Sequence, residues 1–468
     1  MVFSSLSFLC VFLPTVLILH TVILSIKVRN ILLLAASLVF YAYGEPVYVL
    51  LLVLSCLMNY AFAFGANIRN EKVKKMLLAF NVIGNLGLLA VFKYADMAVA
   101  TVNGLFGADL PLPEIRLPIG ISFFTFQAMS YTIDVYRSVT NVQKNPLKLT
   151  LYISLFPQLI AGPIVKYRDI EERLTYRTID LASLERGLSR FIVGLGKKVV
   201  FANTLGLVAD AVYSASADKL NILSAWLAAV AYMLQIYYDF SGYSDMAIGL
   251  GKALGFDFKE NFNYPYLSES ITEFWRRWHI SLSTWFKEYL YIPLGGNRKG
   301  EIRTDINKML VFFFTGLWHG ASWTFVAWGA VHGLFTVIEM HCGFLKKMPK
   351  FFRWLYTSLV VCLAFVLFRA DTFTQAAVFF KNMFAGYCFD SASMSLFLQQ
   401  MTPWFIFVLM LSLVGVFPIM KKFPKIVAVF DEKPVLNLIK RVSLLALLVF
   451  CMVRISSGAY NPFIYFRF

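Results

Sequence analysis

The chain has 468 residues, of which 59% are hydrophobic and only 15% are charged. Because soluble domains carry about 25% charged residues, this composition excludes an ordinary soluble protein and favours a membrane protein. The formal net charge of +16 comes from basic residues in short clusters between apolar runs, which argues against nucleic acid as a partner and is typical of cytoplasmic loops.

Apolar runs and polar loops alternate at the start of the chain and predict N-terminal spans within residues 8–136. The first run, Phe8–Ile26, has no basic segment before it and no small-residue cleavage site, so we expect a retained span rather than a signal peptide. The loop at residues 69–75 is rich in lysine, whereas residues 96–115 contain no Lys or Arg. The first loop is therefore predicted to be cytoplasmic and the second external.

Residues 149–200 are predicted to form a re-entrant and interfacial region. The run Leu149–Val165 contains Pro157 and Gly162 and has basic residues on both flanks, which favours a segment that enters and leaves on one side. The stretch Lys166–Lys198 is highly charged, and it predicts amphipathic helices at the cytoplasmic interface.

Residues 220–340 form the predicted catalytic core and residues 354–458 the C-terminal spans, which gives roughly ten spans at about 20 apolar residues each. The first apolar run of the core is followed by Asp239 and Asp245. These two carboxylates are candidates for shaping a tunnel, with packing and helix capping as the alternatives.

Common catalytic and metal-binding motifs do not occur in this sequence. It has no HExxH motif, no GxSxG motif and no Walker A motif, and its six cysteines form no CxxC pair. The sequence therefore predicts no metal site, no serine hydrolase of that type and no ATP-driven transport.

His319 is the most unusual of the five histidines, because apolar residues precede it and small residues surround it. Gly316, Gly320 and Ala321 are expected to leave space beside the ring for a substrate. From residue type alone, a structural histidine and a catalytic one are both open. If residues 309–340 form one helix, His332 lies about 220° around from His319, which argues against a metal site that uses both.

His279 lies in a dense cluster with Trp275, Arg276, Arg277 and Trp278. Tryptophan and arginine at a membrane interface also serve as ordinary anchors, so this alternative stays open. The segment Arg276–Lys308 is basic, and phosphate groups favour Arg and Lys as partners. It is a candidate surface for an anionic acyl donor, while retention of positive charge on the cytoplasmic side is the alternative.

Several motifs along most of the chain resemble the membrane-bound O-acyltransferase (MBOAT) family. Within it, the chain looks most like the bacterial branch that O-acetylates exported polysaccharides, typified by the membrane subunit of alginate O-acetylation. Each motif alone is weak, whereas together they are specific. The motifs are Phe156–Pro163, Tyr238–Asp245, Phe274–Ser283, Tyr289–Asn297, Leu317–Ser322 and Asn461–Phe466.

The resemblance implies an all-α polytopic membrane protein with a single membrane-embedded domain over residues 1–468. Its expected architecture is a ring of tilted transmembrane helices with re-entrant segments around a central tunnel. It implies that His319 is catalytic and that His279 is its polar partner. The remaining candidates for lining the tunnel or binding the donor are Trp275, Arg276, Trp318, Asp239, Asp245 and Ser322.

The expected reaction is acyl transfer from a thioester to a hydroxyl group. An imidazole, with an ordinary pKa near 6.5, suits removal of the hydroxyl proton at neutral pH, and we assign that role to His319. His279 would orient the donor or donate a hydrogen bond to the thioester carbonyl. Direct transfer is expected, with a transient acyl-histidine as the alternative. No bound cofactor is expected, and acetyl-CoA is the predicted acyl donor.

The resemblance also implies a multi-pass protein in the lipid bilayer of a bacterial inner membrane. A separate extracytoplasmic acetyltransferase is the expected protein partner, and an exported polysaccharide such as alginate is the expected final acceptor. Two alternatives remain. The same fold transfers another acyl group, either D-alanyl to teichoic acid or a fatty acyl group to lipid or protein, or the chain is a transporter without catalysis.

Overall fold

The chain is all-helical in a computed structural model that describes residues 1–424, 429–430, 432–458, 460–461 and 464. It is 75% helix, and the described residues contain no β-strand, so the predicted all-α class is confirmed. Of the C-terminal motif Asn461–Phe466, only Asn461 and Ile464 lie within the described residues.

The internal contacts divide the chain into two compact units. Unit 1 comprises Met1–Phe191 with Ser244–Lys259, and unit 2 comprises Ile192–Tyr243 with Glu260–Phe468. The first ten helices are α1 (Leu13–Val22), α2 (Ile26–Ala42), α3 (Tyr48–Phe64), α4 (Glu71–Phe106), α5 (Ile121–Tyr136), α6 (Pro146–Ser154), α7 (Phe156–Leu159), α8 (Tyr167–Ile170), α9 (Leu181–Gly196) and α10 (Asn203–Tyr213). The helices that follow are α11 (Ile222–Ala253), α12 (Ile271–Arg277), α13 (Ile280–Phe286), α14 (Glu301–His319), α15 (Trp323–Cys342), α16 (Lys350–Arg369), α17 (Phe373–Ala385), α18 (Ser391–Gln400), α19 (Pro403–Gly415), α20 (Ile419–Lys422) and α21 (Pro434–Ser456).

Among the described residues, 6 helical stretches are long and apolar enough to cross a membrane, so the chain is a multi-pass membrane protein. Helices α18 and α19, bent by 65° relative to each other, would raise the number to 7 if they form one span. The stretches are Tyr48–Asn67, Glu71–Phe106, Leu181–Tyr213, Trp323–Cys342, Lys350–Arg369 and Pro434–Ser456.

The 6 or 7 candidate spans among the described residues are fewer than the roughly ten hydrophobic spans expected from the sequence at about 20 residues per span. Several apolar runs form helices that are too short: the apolar helix Phe8–Val22 has 15 residues, α5 has 16 and α19 has 13. The long apolar run at 309–340 is interrupted after His319, so α14 and α15 are separate helices. An apolar run in the sequence does not reveal where the backbone breaks.

The stretch Lys166–Lys198, predicted to be interfacial, differs most from expectation. Its second half belongs to the 33-residue stretch Leu181–Tyr213, which is apolar enough to span. The charge of Lys198, which counted against a span, is buried in unit 2 and paired with Asp239 at 2.6 Å. Pairing offsets the cost of burying the lysine, which the sequence alone did not show.

The predicted re-entrant run Leu149–Val165 lies in unit 1 and contains no spanning helix. Helix α6 ends at Ser154, Leu155 interrupts the helical backbone, and α7 has only 4 residues. All residues from Leu151 to Val165 are buried. A broken, buried helix is the form in which irregular backbone is tolerated at membrane depth. Whether the segment enters and leaves on one side stays a prediction, as does the central tunnel.

Helices α14 and α15 of unit 2 pack closely because glycine lies where they cross. A Cβ added to Gly329 would overlap the carbonyl oxygen of Phe312, and one added to Gly316 would overlap the carbonyl oxygen of Phe325. Small residues that let helix backbones approach are typical of packing between membrane helices. This pair of helices carries His319 and His332.

Candidate active site

His319 is the last residue of α14 and lies almost fully buried in unit 2, with 4% of its surface exposed. The helix ends there because Gly320 adopts an extended conformation, with φ of −167°. The imidazole packs edge-to-face against Trp318, Trp328 and Phe368, with ring centroids 5.0, 5.0 and 5.2 Å away. Aromatic rings on several sides fix the position of this ring.

His279 precedes α13 and is completely buried. Its ring packs edge-to-face against Phe240 at 4.5 Å and against Trp318 at 5.7 Å. Trp318 therefore contacts both His279 and His319. The structure brings together the two histidines that the sequence paired, around one shared indole.

Asn261 fixes the protonation pattern of His279. The Oδ1 atom of Asn261 accepts a hydrogen bond from the backbone N–H of Ser281 at 3.1 Å, and a backbone N–H is always a donor. The same oxygen lies 3.2 Å from Nδ1 of His279, so Nδ1 must carry the proton and donate. In the neutral ring, Nε2 is then an acceptor.

Burial lowers the pKa of His279 to about 3, so the ring is neutral at physiological pH. Its Nε2 atom has no hydrogen-bond partner among the described residues. A neutral imidazole with the proton on Nδ1 cannot donate through Nε2. Of the two roles predicted for His279, donation to a thioester carbonyl is thus disfavoured, and orientation through an accepted hydrogen bond is favoured.

Trp275 and Arg276 lie on α12, which Glu339 of α15 holds in place. The Glu339 carboxylate accepts hydrogen bonds from the backbone N–H groups of Ile271 at 2.6 Å and Thr272 at 3.1 Å. These groups lack partners within a helix, and a negative charge at a helix N-terminus is stabilising. Trp275 points into the aromatic core of unit 2, whereas Arg276 is exposed.

Two of the remaining candidates have structural partners that occupy their polar atoms. Asp239 pairs with Lys198 and also accepts a hydrogen bond from the backbone N–H of Ile464 at 2.9 Å. The hydroxyl of Ser322 accepts from the backbone N–H of Thr324 at 3.3 Å and caps α15. For both residues, the packing and capping alternatives describe what the structure shows.

Asp245 belongs to unit 1, unlike Asp239. Its carboxylate accepts hydrogen bonds from Nε and Nη2 of Arg190 at 3.0 and 2.8 Å. Two hydrogen bonds from one guanidinium group make this arginine–carboxylate pair stronger than a pair with a single hydrogen bond. The structure gives Asp245 a role in holding α9 and α11 together within unit 1.

The glycines near His319 allow close helix packing and do not leave open space beside the ring. A Cβ on Gly320 would overlap the ring of Phe325, and Gly316 faces the Phe325 backbone. The expectation that both clear room for a substrate was therefore wrong, because a neighbouring helix fills that space. The side chain of Ala321 is exposed.

Sequence reasoning did not identify Trp328, which contacts His319, and it did not connect His332 to the site, although His332 contacts the same indole. Trp328 contacts His319 at 5.0 Å and His332 at 4.9 Å. The angular argument that set His319 and His332 apart assumed one continuous helix. The signal for the break was available, because Gly320 followed by Ser322 is typical of one helix ending and another beginning at a serine cap.

Residues 137–380 match the family model described as MBOAT, membrane-bound O-acyltransferase family. The probable alginate O-acetylase AlgI of Pseudomonas putida is 44% identical over 395 residues, covering 82% of this chain and 80% of that protein. The corresponding protein of Pseudomonas aeruginosa is 43% identical, covering 82% and 75%.

A third relative acts on a different polymer. The peptidoglycan O-acetyltransferase of Helicobacter pylori is 38% identical over 389 residues, covering 75% of this chain and 73% of that protein. Family match and relatives confirm the resemblance that the motifs indicated. The chain is an acyltransferase and belongs to the membrane-bound O-acyltransferase family.

Proposed function

We propose that this acyltransferase takes an acetyl group from acetyl-CoA on the cytoplasmic side of a bacterial inner membrane and passes it on for O-acetylation of an exported polysaccharide such as alginate. The observation that carries this proposal is the 44% identity to a probable alginate O-acetylase over 82% of the chain. A separate extracytoplasmic acetyltransferase would complete the modification. The peptidoglycan enzyme among the relatives keeps other polymers as candidate acceptors.

The chemistry requires a base beside the acceptor hydroxyl. The hydroxyl oxygen attacks the thioester carbonyl carbon, its proton passes to His319, and the carbon–sulfur bond then breaks. The released thiolate takes up the proton, so the base is restored. His279, neutral and with Nε2 as an acceptor, holds a hydroxyl or amide proton of a substrate in position.

The cytoplasmic donor is supported by exposed positive charge on α12 and in the segment that follows it. Arg276, Lys287, Arg298, Lys299 and Arg303 are exposed, and none forms an ion pair with any described residue. Unpaired guanidinium and ammonium groups suit the phosphates of acetyl-CoA. Positive charge on a cytoplasmic loop remains the competing explanation.

The deciding experiment removes the proposed base in cells that export the polymer. His319→Ala should insert and fold but abolish acetylation, as measured by mass spectrometry of the exported polymer. His341→Gln is the matched control, because His341 is exposed and pairs with Asp305. Normal acetylation in the His319→Ala strain would remove the assignment.

The donor and the acyl group are tested separately. Purified protein mixed with acetyl-CoA should transfer the acetyl group to water, which releases acetate and free CoA, and His319→Ala should not. A polymer that carries D-alanyl or longer acyl groups would favour the related transferases instead.

A further inference from the structure

His332 forms a compact buried cluster with two tryptophans of unit 2, here named the His332 cluster (His332, Trp275 and Trp328). The three rings contact one another in edge-to-face pairs, with centroids 5.3 Å apart for His332 and Trp275, 4.9 Å for His332 and Trp328, and 5.7 Å for the two indoles. Their exposed fractions are 0%, 8% and 1%. The cluster is therefore built into the interior.

The ring nitrogens of this cluster have no hydrogen-bond partner among the described residues. They are Nδ1 and Nε2 of His332 and Nε1 of each tryptophan. The flat faces next to His332 belong to Phe274 at 6.0 Å and Phe312 at 6.3 Å, which offer no hydrogen bond. The large majority of buried side-chain polar atoms in proteins are paired, so four unpaired nitrogens in one cluster are unusual.

The cluster lies directly beside the proposed base. Trp328 contacts both His332 and His319, at 4.9 and 5.0 Å between ring centroids. A small group bound at the cluster would therefore lie one indole away from His319. Trp275 connects the cluster to α12, which Glu339 holds in place.

The chemistry of the nitrogens indicates what kind of group they bind. Each indole N–H is a donor only, and a neutral imidazole supplies one donor and one acceptor. Three donors against one acceptor suit a carbonyl oxygen. A sugar hydroxyl needs acceptors as well, and an anion would favour a cation, which the cluster does not contain.

We propose that His332, Trp275 and Trp328 form a binding site for a carbonyl oxygen of the acyl donor, in the thioester or amide groups of its pantetheine arm. The proposal rests on the proposed thioester donor. It assigns His332 a part in donor binding, distinct from proton transfer at His319.

The test measures binding without turnover. The probe is an analogue of S-acetylpantetheine in which a methylene group replaces the thioester sulfur, so that it is not consumed. Binding to detergent-purified protein is followed by calorimetry. His332→Phe keeps a flat ring between Phe274 and Phe312 but removes both nitrogens, and it should weaken binding about tenfold. His341→Phe makes the same chemical change at an exposed site and should leave binding unchanged.

Kinetics separate donor binding from a structural role. With acetyl-CoA as substrate, His332→Phe should raise KM about tenfold and change kcat little, with an unchanged thermal unfolding midpoint. Binding and KM equal to those of the unaltered protein in a folded variant would overturn the proposal. If His332→Phe does not fold, His332→Gln and Trp328→Phe replace it. Weaker binding in Trp328→Phe supports the site, and unchanged binding in both variants overturns it.

The failure of this site and the failure of the proposed function give different results. A protein that acetylates its polymer in cells but does not bind the analogue overturns the site alone. A strain whose polymer carries no acetyl group overturns the proposed function.

Discussion

Replacement of Asn261 should change how activity depends on pH, because this side chain sets the proton on His279. Asn261 is fully buried, and its Oδ1 atom accepts from the backbone N–H of Ser281, the hydroxyl of Ser281 and Nδ1 of His279 at 3.1, 2.9 and 3.2 Å. Asn261→Asp keeps an acceptor in the same place and adds a negative charge. Asn261→Leu has a similar shape and removes the acceptor.

The size of both effects follows from the geometry. A carboxylate within about 4–6 Å raises the pKa of an imidazole by about 1–3 units. Starting from about 3 in the unaltered protein, the pKa of His279 would rise in Asn261→Asp, and the ring would gain its second proton below about pH 6. In Asn261→Leu the lost hydrogen bond, about 1–3 kcal/mol, frees the ring to place its proton on Nε2.

The assay is kcat/KM for acetyl-CoA between pH 4.5 and 8.5. Asn261→Asp should approach normal activity at pH 8 and lose activity below about pH 6, whereas Asn261→Leu should lose about 10- to 100-fold at every pH. Asn145→Asp is the control, since Asn145 caps α6 from an exposed position and aspartate caps equally well. A pH profile of Asn261→Asp that overlies that of the unaltered protein would refute the reasoning.

The remaining predictions concern stability and the pH dependence of the unaltered enzyme. Asp239→Asn should lower the free energy of unfolding by about 3–5 kcal/mol because it leaves the buried Lys198 without its carboxylate. Asp257→Asn weakens two exposed ion pairs, with Arg173 and Lys252, and should cost about 1 kcal/mol or less in the same denaturation assay. Gly329→Ala should lower the thermal midpoint because its methyl group overlaps a backbone oxygen, and Gly87→Ala, with open space around it, should not; equal midpoints would contradict the close helix packing. Since burial lowers the pKa of His279 to about 3, an NMR titration of that ring should show no protonation above about pH 5, and protonation in that range would contradict the assignment of a neutral ring.

The sequence was informative wherever chemistry depends on residue type. Composition alone predicted a membrane protein, and the rarity of histidine in apolar surroundings singled out His319. The dense group around His279 indicated a second site residue, and the structure places both rings against Trp318. The roles assigned to the two histidines stay predictions until they are tested.

Features that depend on tertiary partners were not predictable from one sequence. Lys198 counted as a sign of an interface until Asp239 was found beside it. Gly316 was expected to leave space for a substrate, but it lies against the backbone of a neighbouring helix. A glycine in either role looks the same in the sequence. The expected number of spans exceeded the 6 or 7 candidates among the described residues because hydropathy is summed over breaks in the backbone. The unrecognised break after His319 is also why the contact of His332 with the same indole as His319 was not expected.

The backbone conformation at His279 restricts the orientation of its ring. His279 adopts a left-handed conformation, with φ of 43° and ψ of 55°, which costs a non-glycine residue about 1–2 kcal/mol. Backbone hydrogen bonds from Asn263 to Arg277 and from Ile280 to Asn261 enclose it on both sides. The backbone that carries the imidazole is therefore rigid. A glycine introduced next to His279 would make this backbone more flexible, and the orientation of the ring would become less well defined although the side chain itself is unchanged.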